Sequence, residues 1–337
     1  MMLSEEQEQF GAAVHDLLAG GDVPGAARRW ADGDLAPGLA LWRRLAGLGV
    51  TALAVPEKRG GLGASPLDLV VACEEIGHHA LPGPVAESIA AVPVLLDSCG
   101  SDGSCSCGEW LGELAAGDLI GTVAMPPRVP FAADAEAAGL VLLAGDGVVW
   151  LGRPGVTHRS VDPARSLAEV HGTEVLNRDA TVALGRAFEF GTLASSAQLL
   201  GAGRALLEAS VRQVSVRVQF GRPVGAFQAV KHKLADVAIG LEFARPLLDA
   251  AAVALGSDAL GSDAPGMGGT VARDVSAAKV ACADAAYLAA RVALQVHGAI
   301  GYTAEHDLSL WLMKVRALVP AWGSQGEHRA RVMAELA

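Results

Sequence analysis

Gln295-Val296-His297-Gly298-Ala299-Ile300-Gly301-Tyr302 closes the run that decides the fold. Upstream of it, Val271, Val275, Ala278, Cys282, Ala285, Ala289, Val292 and Val296 recur at alternating spacings of four and three. That periodicity draws one stripe of small and branched side chains along a long helix. A second stripe with the same spacing passes through Val230, Leu234, Val237, Leu241, Ala244, Leu248 and Ala251. Two such stripes predict closely packed antiparallel helices in a bundle. The segment from Gly256 to Gly269 is rich in Gly, Ser and Asp and reads as the loop between them.

Ahead of the bundle the pattern changes twice. From about 118 to 182 there are short β-rich runs at 119–123, 139–143 and 148–151, with Gly145-Asp146-Gly147 as a turn between two of them. Trp150 in the last run reads as a core side chain. Residues 1–117 read as helices broken by turns. Gly60-Gly61-Leu62-Gly63 cannot continue a helix. Ser65-Pro66 opens the next helix, with Ser at the cap and Pro in the first helical position. The expected class is α+β, mostly α: a helical N-terminal domain (1–117), a shortened β domain (118–182) and a C-terminal four-helix bundle (183–337).

At 337 residues, 51% of them apolar, the chain can bury a sizeable core and is not disordered. Lys plus Arg number 26 against 37 Asp plus Glu, a net charge of −11. This balance disfavours nucleic acid and anionic membranes as partners. The acidic N-terminus has no basic and apolar leader, and no apolar run approaches the ~20 residues that span a bilayer. A cytoplasmic protein is expected. Of the five cysteines, Cys73 and Cys282 fall in helical runs where a buried thiol is ordinary. Cys99, Cys105 and Cys107 have neither a fourth ligand nor zinc-ribbon spacing, so they read as part of a surface loop and no metal is assigned.

Taken in order, Val55-Pro56-Glu57, Gly60-Gly61-Leu62-Gly63, Arg217-Val218-Gln219-Phe220-Gly221, Gln228 and the 295–302 segment resemble the acyl-CoA dehydrogenase family over nearly the whole chain. The resemblance implies an oxidoreductase that forms a 2-enoyl-CoA from an acyl-CoA with FAD, passing electrons to an electron-transfer flavoprotein. It also implies that Arg217, Phe220 and Gln228 reach across an interface to FAD held mainly by a neighbouring subunit. Gln295, Gly298 and Ala299 would meet the adenine end of that FAD. These residue types suit such a role, since a guanidinium fork can donate to a pyrophosphate and glycine lets backbone approach a dinucleotide. Singly, the same residues have plainer readings: Arg217 in a surface ion pair, Phe220 in the core, Gln295 capping a turn.

Two departures set this chain apart. In Pro320-Ala321-Trp322-Gly323-Ser324, tryptophan stands where the family commonly carries the glutamate that removes the substrate's α-proton. Indole donates a hydrogen bond but has no basic lone pair, so it cannot serve as general base. Relatives that place the glutamate on another helix would have it near Gly191. Glu189, Glu305 and Glu327 read as surface or capping carboxylates, with Glu189 the foremost candidate for a displaced base. Secondly, residues 121–127 lack the Thr-Glu-x-x-x-Gly-Ser-Asp-like segment that holds the flavin within the same chain. The chain thus resembles the smaller, base-lacking subunit of the actinobacterial α2β2 heterotetramers that act on steroid side chains, with a partner subunit carrying the glutamate. A self-sufficient homo-oligomeric flavoenzyme and a non-enzymatic interaction protein on the same fold are the alternatives.

Overall fold

The structure, a computed structural model, describes residues 3–99, 106–258, 267–303 and 306–336. Within these, the chain opens with α1 (Glu5–Ala19), α2 (Val23–Ala31), α3 (Ala36–Gly47), α4 (Pro66–His78), α5 (Val92–Cys99) and α6 (Cys107–Ala116). α4 starts as its sequence dictates. Ser65 Oγ accepts from the Asp68 amide at 3.3 Å, and Asp68 Oδ2 accepts from the Ser65 amide at 2.9 Å, with Pro66 first in the helix.

Five strands follow: β1 (Gly121–Ala124), β2 (Ala132–Ala133), β3 (Leu140–Gly145), β4 (Val148–Arg159) and β5 (Ser166–Asn177). They form a sheet in the order β1-β3-β4-β5-β2, with β1 and β3 parallel and the other pairs antiparallel. Asp146 and Gly147, with φ of 50° and 75°, make the tight turn between β3 and β4. β4 and β5 make up most of the sheet, and the sequence announces only the first residues of β4. β4 continues past Leu151 through Gly152, Pro154 and Gly155, and β5 pairs along it from Ser166 to Asn177. Those glycines and the proline break the alternation that marks a strand, and the outer half of β4 is exposed. Trp150 is not in the core. Its ring is half-buried and lies against Gly172 on β5, where a Cβ would come within 3.1 Å of the indole.

The remaining helices are α7 (Thr181–Val216), α8 (Gln228–Asp258), α9 (Met267–His297), α10 (Leu308–Leu318) and α11 (Gln325–Ala334). A hairpin, β6 (Val218–Gln219) with β7 (Arg222–Pro223), separates α7 from α8. Val237, Leu241, Ala244, Leu248 and Ala251 of α8 are buried, as are all the striped residues of α9 from Val271 to Val296. Burying each larger aliphatic contributes roughly 1.5–3 kcal/mol. α7 runs between α4 and the other bundle helices. It crosses α4 backbone against backbone at Gly77 and Gly201, where a Cβ would overlap the main chain of Gln198 and of Glu74 respectively. Among the described residues no helix is long and apolar enough to cross a membrane.

Candidate functional site

The turn between α10 and α11 holds Trp322 in a left-handed conformation, φ 59°, followed by Gly323 at φ 98°. For a bulky L-residue this costs on the order of 1–3 kcal/mol, so the surroundings must impose it. Three hydrogen bonds do so. The indole Nε1 donates to Glu87 Oε1 at 3.1 Å, and the Trp322 carbonyl accepts from His328 Nε2 at 2.9 Å and Thr192 Oγ1 at 3.4 Å. A carbonyl only accepts, so His328 carries its proton on Nε2 and takes the Ser276 hydroxyl on Nδ1 at 3.1 Å. Burial pushes the His328 imidazole down to about 4, which keeps it neutral in this role.

Trp322 is only 1% exposed. Its six-membered ring lies directly against Gly191 of α7, where a Cβ would overlap it. The ring of Phe188 stands 6.2 Å away, centroid to centroid. The neighbouring cavity, bounded by Trp322, Glu87, Asp134, Arg165 and Lys314, has a volume of about 20 Å³. That is space for about one water molecule and none for an acyl chain. Burial raises the carboxyls of Glu87 and Asp134, the latter to about 7. The two positions at which the resemblance places a base are thus in contact with each other: one is filled by indole, and the other has no side chain.

The second cluster gathers around the β6–β7 hairpin. Arg217 Nη1 donates to the His297 carbonyl at 2.8 Å, bringing the guanidinium to within 3.1 Å of where a Gly298 Cβ would stand. At the hairpin tip Phe220 and Gly221 have φ of 55° and 76°. Phe220 is 90% exposed, its ring edge-on to Phe227 at 6.1 Å, while Arg222 lies over the Phe227 face at 4.1 Å. The core reading of Phe220 is therefore excluded. Gln228 begins α8 and is exposed, as are Gln295 and Ala299. Gln295 Oε1 accepts from Lys233 Nζ at 2.6 Å, which ties the first turns of α8 to the end of α9. Arg217 and Gly298 are thus in contact, and Phe220, Gln228, Gln295 and Ala299 stay open to solvent.

Two family models match the chain: the acyl-CoA dehydrogenase N-terminal domain over residues 4–118 and its C-terminal domain over residues 177–337. Acyl-CoA dehydrogenase IpdE2 of Mycolicibacterium smegmatis is 30% identical, over 99% of this chain and 100% of that protein. The chain belongs to the acyl-CoA dehydrogenase family. IpdE2 of Mycobacterium tuberculosis is 29% identical over 98% of both chains. Among solved structures, the ChsE4-ChsE5 complex from Mycobacterium tuberculosis superposes with a TM-score of 0.81 at 22% identity, covering 99% of this chain and 98% of that one. The Tcur3481-Tcur3483 steroid ACAD G363A variant gives 0.81 at 20% identity over 98% of both chains.

Within this acyl-CoA dehydrogenase family member, two of the other carboxylates singled out in the sequence have evident duties. Glu189 is buried and ion-paired with Arg331. Burial raises its carboxyl against the opposing pull of that guanidinium, and its Oε2 has no hydrogen-bond partner. Glu327 caps α11, its Oε2 accepting from the Ser324 amide at 2.7 Å and the Ser324 hydroxyl at 2.8 Å. Glu305 and Cys105 lie outside the described residues. Cys73 and Cys282 are free, fully buried thiols, both pushed up to about 12 by burial. Two residues that shape these sites carry no signal in the sequence: Glu87, which anchors the indole, and Lys233, which anchors Gln295. No local pattern announces either, because each acts on a partner from a distant helix.

Proposed function

We propose that this chain is the non-catalytic subunit of a heteromeric FAD-dependent acyl-CoA dehydrogenase. The observation that carries the reading is Trp322: a buried indole, hydrogen-bonded to Glu87 and pressed on Gly191, fills the position that the family resemblance gives to the base. Glu189, two residues before Gly191 in the chain, is engaged by Arg331. A partner chain bearing the glutamate supplies the base, and each heterodimer has one productive site.

The hairpin face fits FAD held by such a partner. Arg217 spends Nη1 on the His297 carbonyl and keeps further donors for a pyrophosphate. Phe220 is held out by a backbone conformation that a solvent-facing aromatic would otherwise not adopt, which suits stacking on a flat ring. Gln228, Gln295, Gly298 and Ala299 complete the face with amides and bare backbone. FAD held there would supply the acceptor for the hydride of the substrate β-carbon. This chain's residues position it and shield it from water. Similarity to the Tcur3481-Tcur3483 steroid ACAD supports a steroid acyl-CoA as substrate, and the proposal adds an electron-transfer flavoprotein as acceptor and a cytoplasmic setting.

The test is to express the chain alone and with a second acyl-CoA dehydrogenase chain that has Glu before its late Gly-Thr or Gly-Ser. Bound FAD and acyl-CoA oxidation are measured in both preparations. FAD and turnover are expected only in the complex. Full flavin loading or ordinary turnover by the lone chain would overturn the proposal.

A further inference from the structure

On α4, Glu75 and His78 are three residues apart and His79 follows at the helix end, so all three project from one face. α1 packs on that face and delivers His15. Taking one ligand atom from each of His15, Glu75, His78 and His79, all four lie within 4.8 Å of one another. The three imidazole centroids are 4.6–5.2 Å apart. His15 Nδ1 is 2.9 Å from Glu75 Oε2 and 3.2 Å from His79 Nε2. Donors around a tetrahedral Zn²⁺, bound at about 2.0–2.1 Å, stand roughly 3.3 Å apart.

The surrounding contacts match what a metal ligand set needs. His78 Nε2 lies 3.1 Å from Glu208 Oε2 on α7, so that carboxylate fixes the proton on Nε2 and leaves Nδ1 as a bare lone pair. His78 is 9% exposed, and its Nδ1 is buried with no hydrogen-bond partner. A cation bound there would satisfy that unmet polar atom. Glu75 is oriented in turn by Arg204, whose Nη1 donates to Oε1 at 2.9 Å and leaves Oε2 for the cluster. The site opens on a cavity of about 920 Å³ that also reaches Val216 and His297.

We infer that His15, Glu75, His78 and His79 bind one divalent cation of the zinc class, which fastens α1 to α4. Three imidazoles and a carboxylate form a nitrogen-rich set suited to a borderline metal and not to Mg²⁺ or Ca²⁺. None of the four residues belongs to the hairpin face or the Trp322 pocket, so this site stands or falls apart from the FAD reading.

The full-length protein, with its partner where the two co-purify, is stripped with a chelator and titrated with Zn²⁺, and separately with Co²⁺. One saturable site per chain is expected, with a rise in Tm on Zn²⁺ addition and visible d–d bands from bound Co²⁺. His78 is buried and its loss threatens folding, so the half-exposed His15 carries the test. His15→Ala should weaken binding at least ten-fold and abolish the Tm rise, and Glu208→Gln should weaken it roughly 10–100-fold. Absence of a saturable site in the wild-type protein overturns the inference. So does Zn²⁺ binding with the same affinity and stoichiometry in both His15→Ala and His79→Ala.

Discussion

The six-membered ring of Trp322 occupies the space that a side chain on Gly191 would need. The two positions are therefore a single packing unit, and substitutions there should not add. Gly191→Ala alone forces the indole to shift against Glu87 and should cost about 1–3 kcal/mol, as overpacking does. Trp322→Ala alone removes a buried indole and should cost about 3–5 kcal/mol. In the Trp322→Ala background the added methyl enters free space, so Gly191→Ala should become neutral or stabilising. Denaturant unfolding of the four proteins gives the coupling energy; additivity within about 0.5 kcal/mol would show that the contact does not exist.

Phe220 allows flavin contact to be separated from stability. Its φ of 55° is a conformation that glycine adopts freely, and its ring is almost wholly exposed. Phe220→Gly should leave the Tm of the isolated chain unchanged or slightly raised. In the complex the same substitution should lower FAD retention on gel filtration, with Arg217→Ala lowering it further. Unchanged flavin content in both variants would remove this face from the cofactor site.

Glu189 tests the competing idea of a displaced base. Its carboxylate is buried beside Arg331, which also lies over the Phe188 ring at 5.2 Å. Breaking a buried pair by neutralising one member typically costs about 3–5 kcal/mol. Glu189→Gln should therefore lower Tm clearly while leaving turnover by the folded complex within about two-fold of wild type. A roughly 10²–10⁴-fold slower turnover, the range attributed to general bases, would assign the proton transfer to this chain after all.

The bundle is legible because its helices repeat one rule many times: the striped positions from Val237 to Ala251 and from Val271 to Val296 are buried. Ser65-Pro66 is legible because capping is local chemistry. β5 and the outer half of β4 are not, since Gly152, Pro154 and exposed side chains give no alternation to read, and pairing between two long strands supplies their order. The candidate site divides the same way. Trp322 departs from the family's usual glutamate by its identity alone, whereas its contact with Gly191 joins α7 to the α10–α11 turn and exists only in three dimensions. Glu75, His78 and His79 share a visible helical spacing, yet nothing near them in the chain points to His15.

His328 makes the Trp322 turn sensitive to acid. It is held neutral between the Trp322 carbonyl and the Ser276 hydroxyl, with its folded pKa lowered by burial to about 4 from an ordinary 6.5. The sign follows from proton counting. Between those two values the unfolded chain binds a proton that the folded chain refuses, so this histidine's contribution is complete above pH 6.5 and declines as pH falls towards 4. His328→Gln loses the well-placed neutral imidazole but has nothing to titrate. The Tm gap between wild type and His328→Gln should therefore be widest above about pH 7 and narrow steadily as pH falls towards about 4.5 at constant ionic strength. Comparing the two proteins pH by pH cancels the buried carboxyls Glu87 and Asp134, whose raised values act in the opposite direction. A gap that stays constant would mean that the fold does not disfavour the His328 proton, and one that widens in acid would mean that the Trp322 carbonyl is held by an imidazolium.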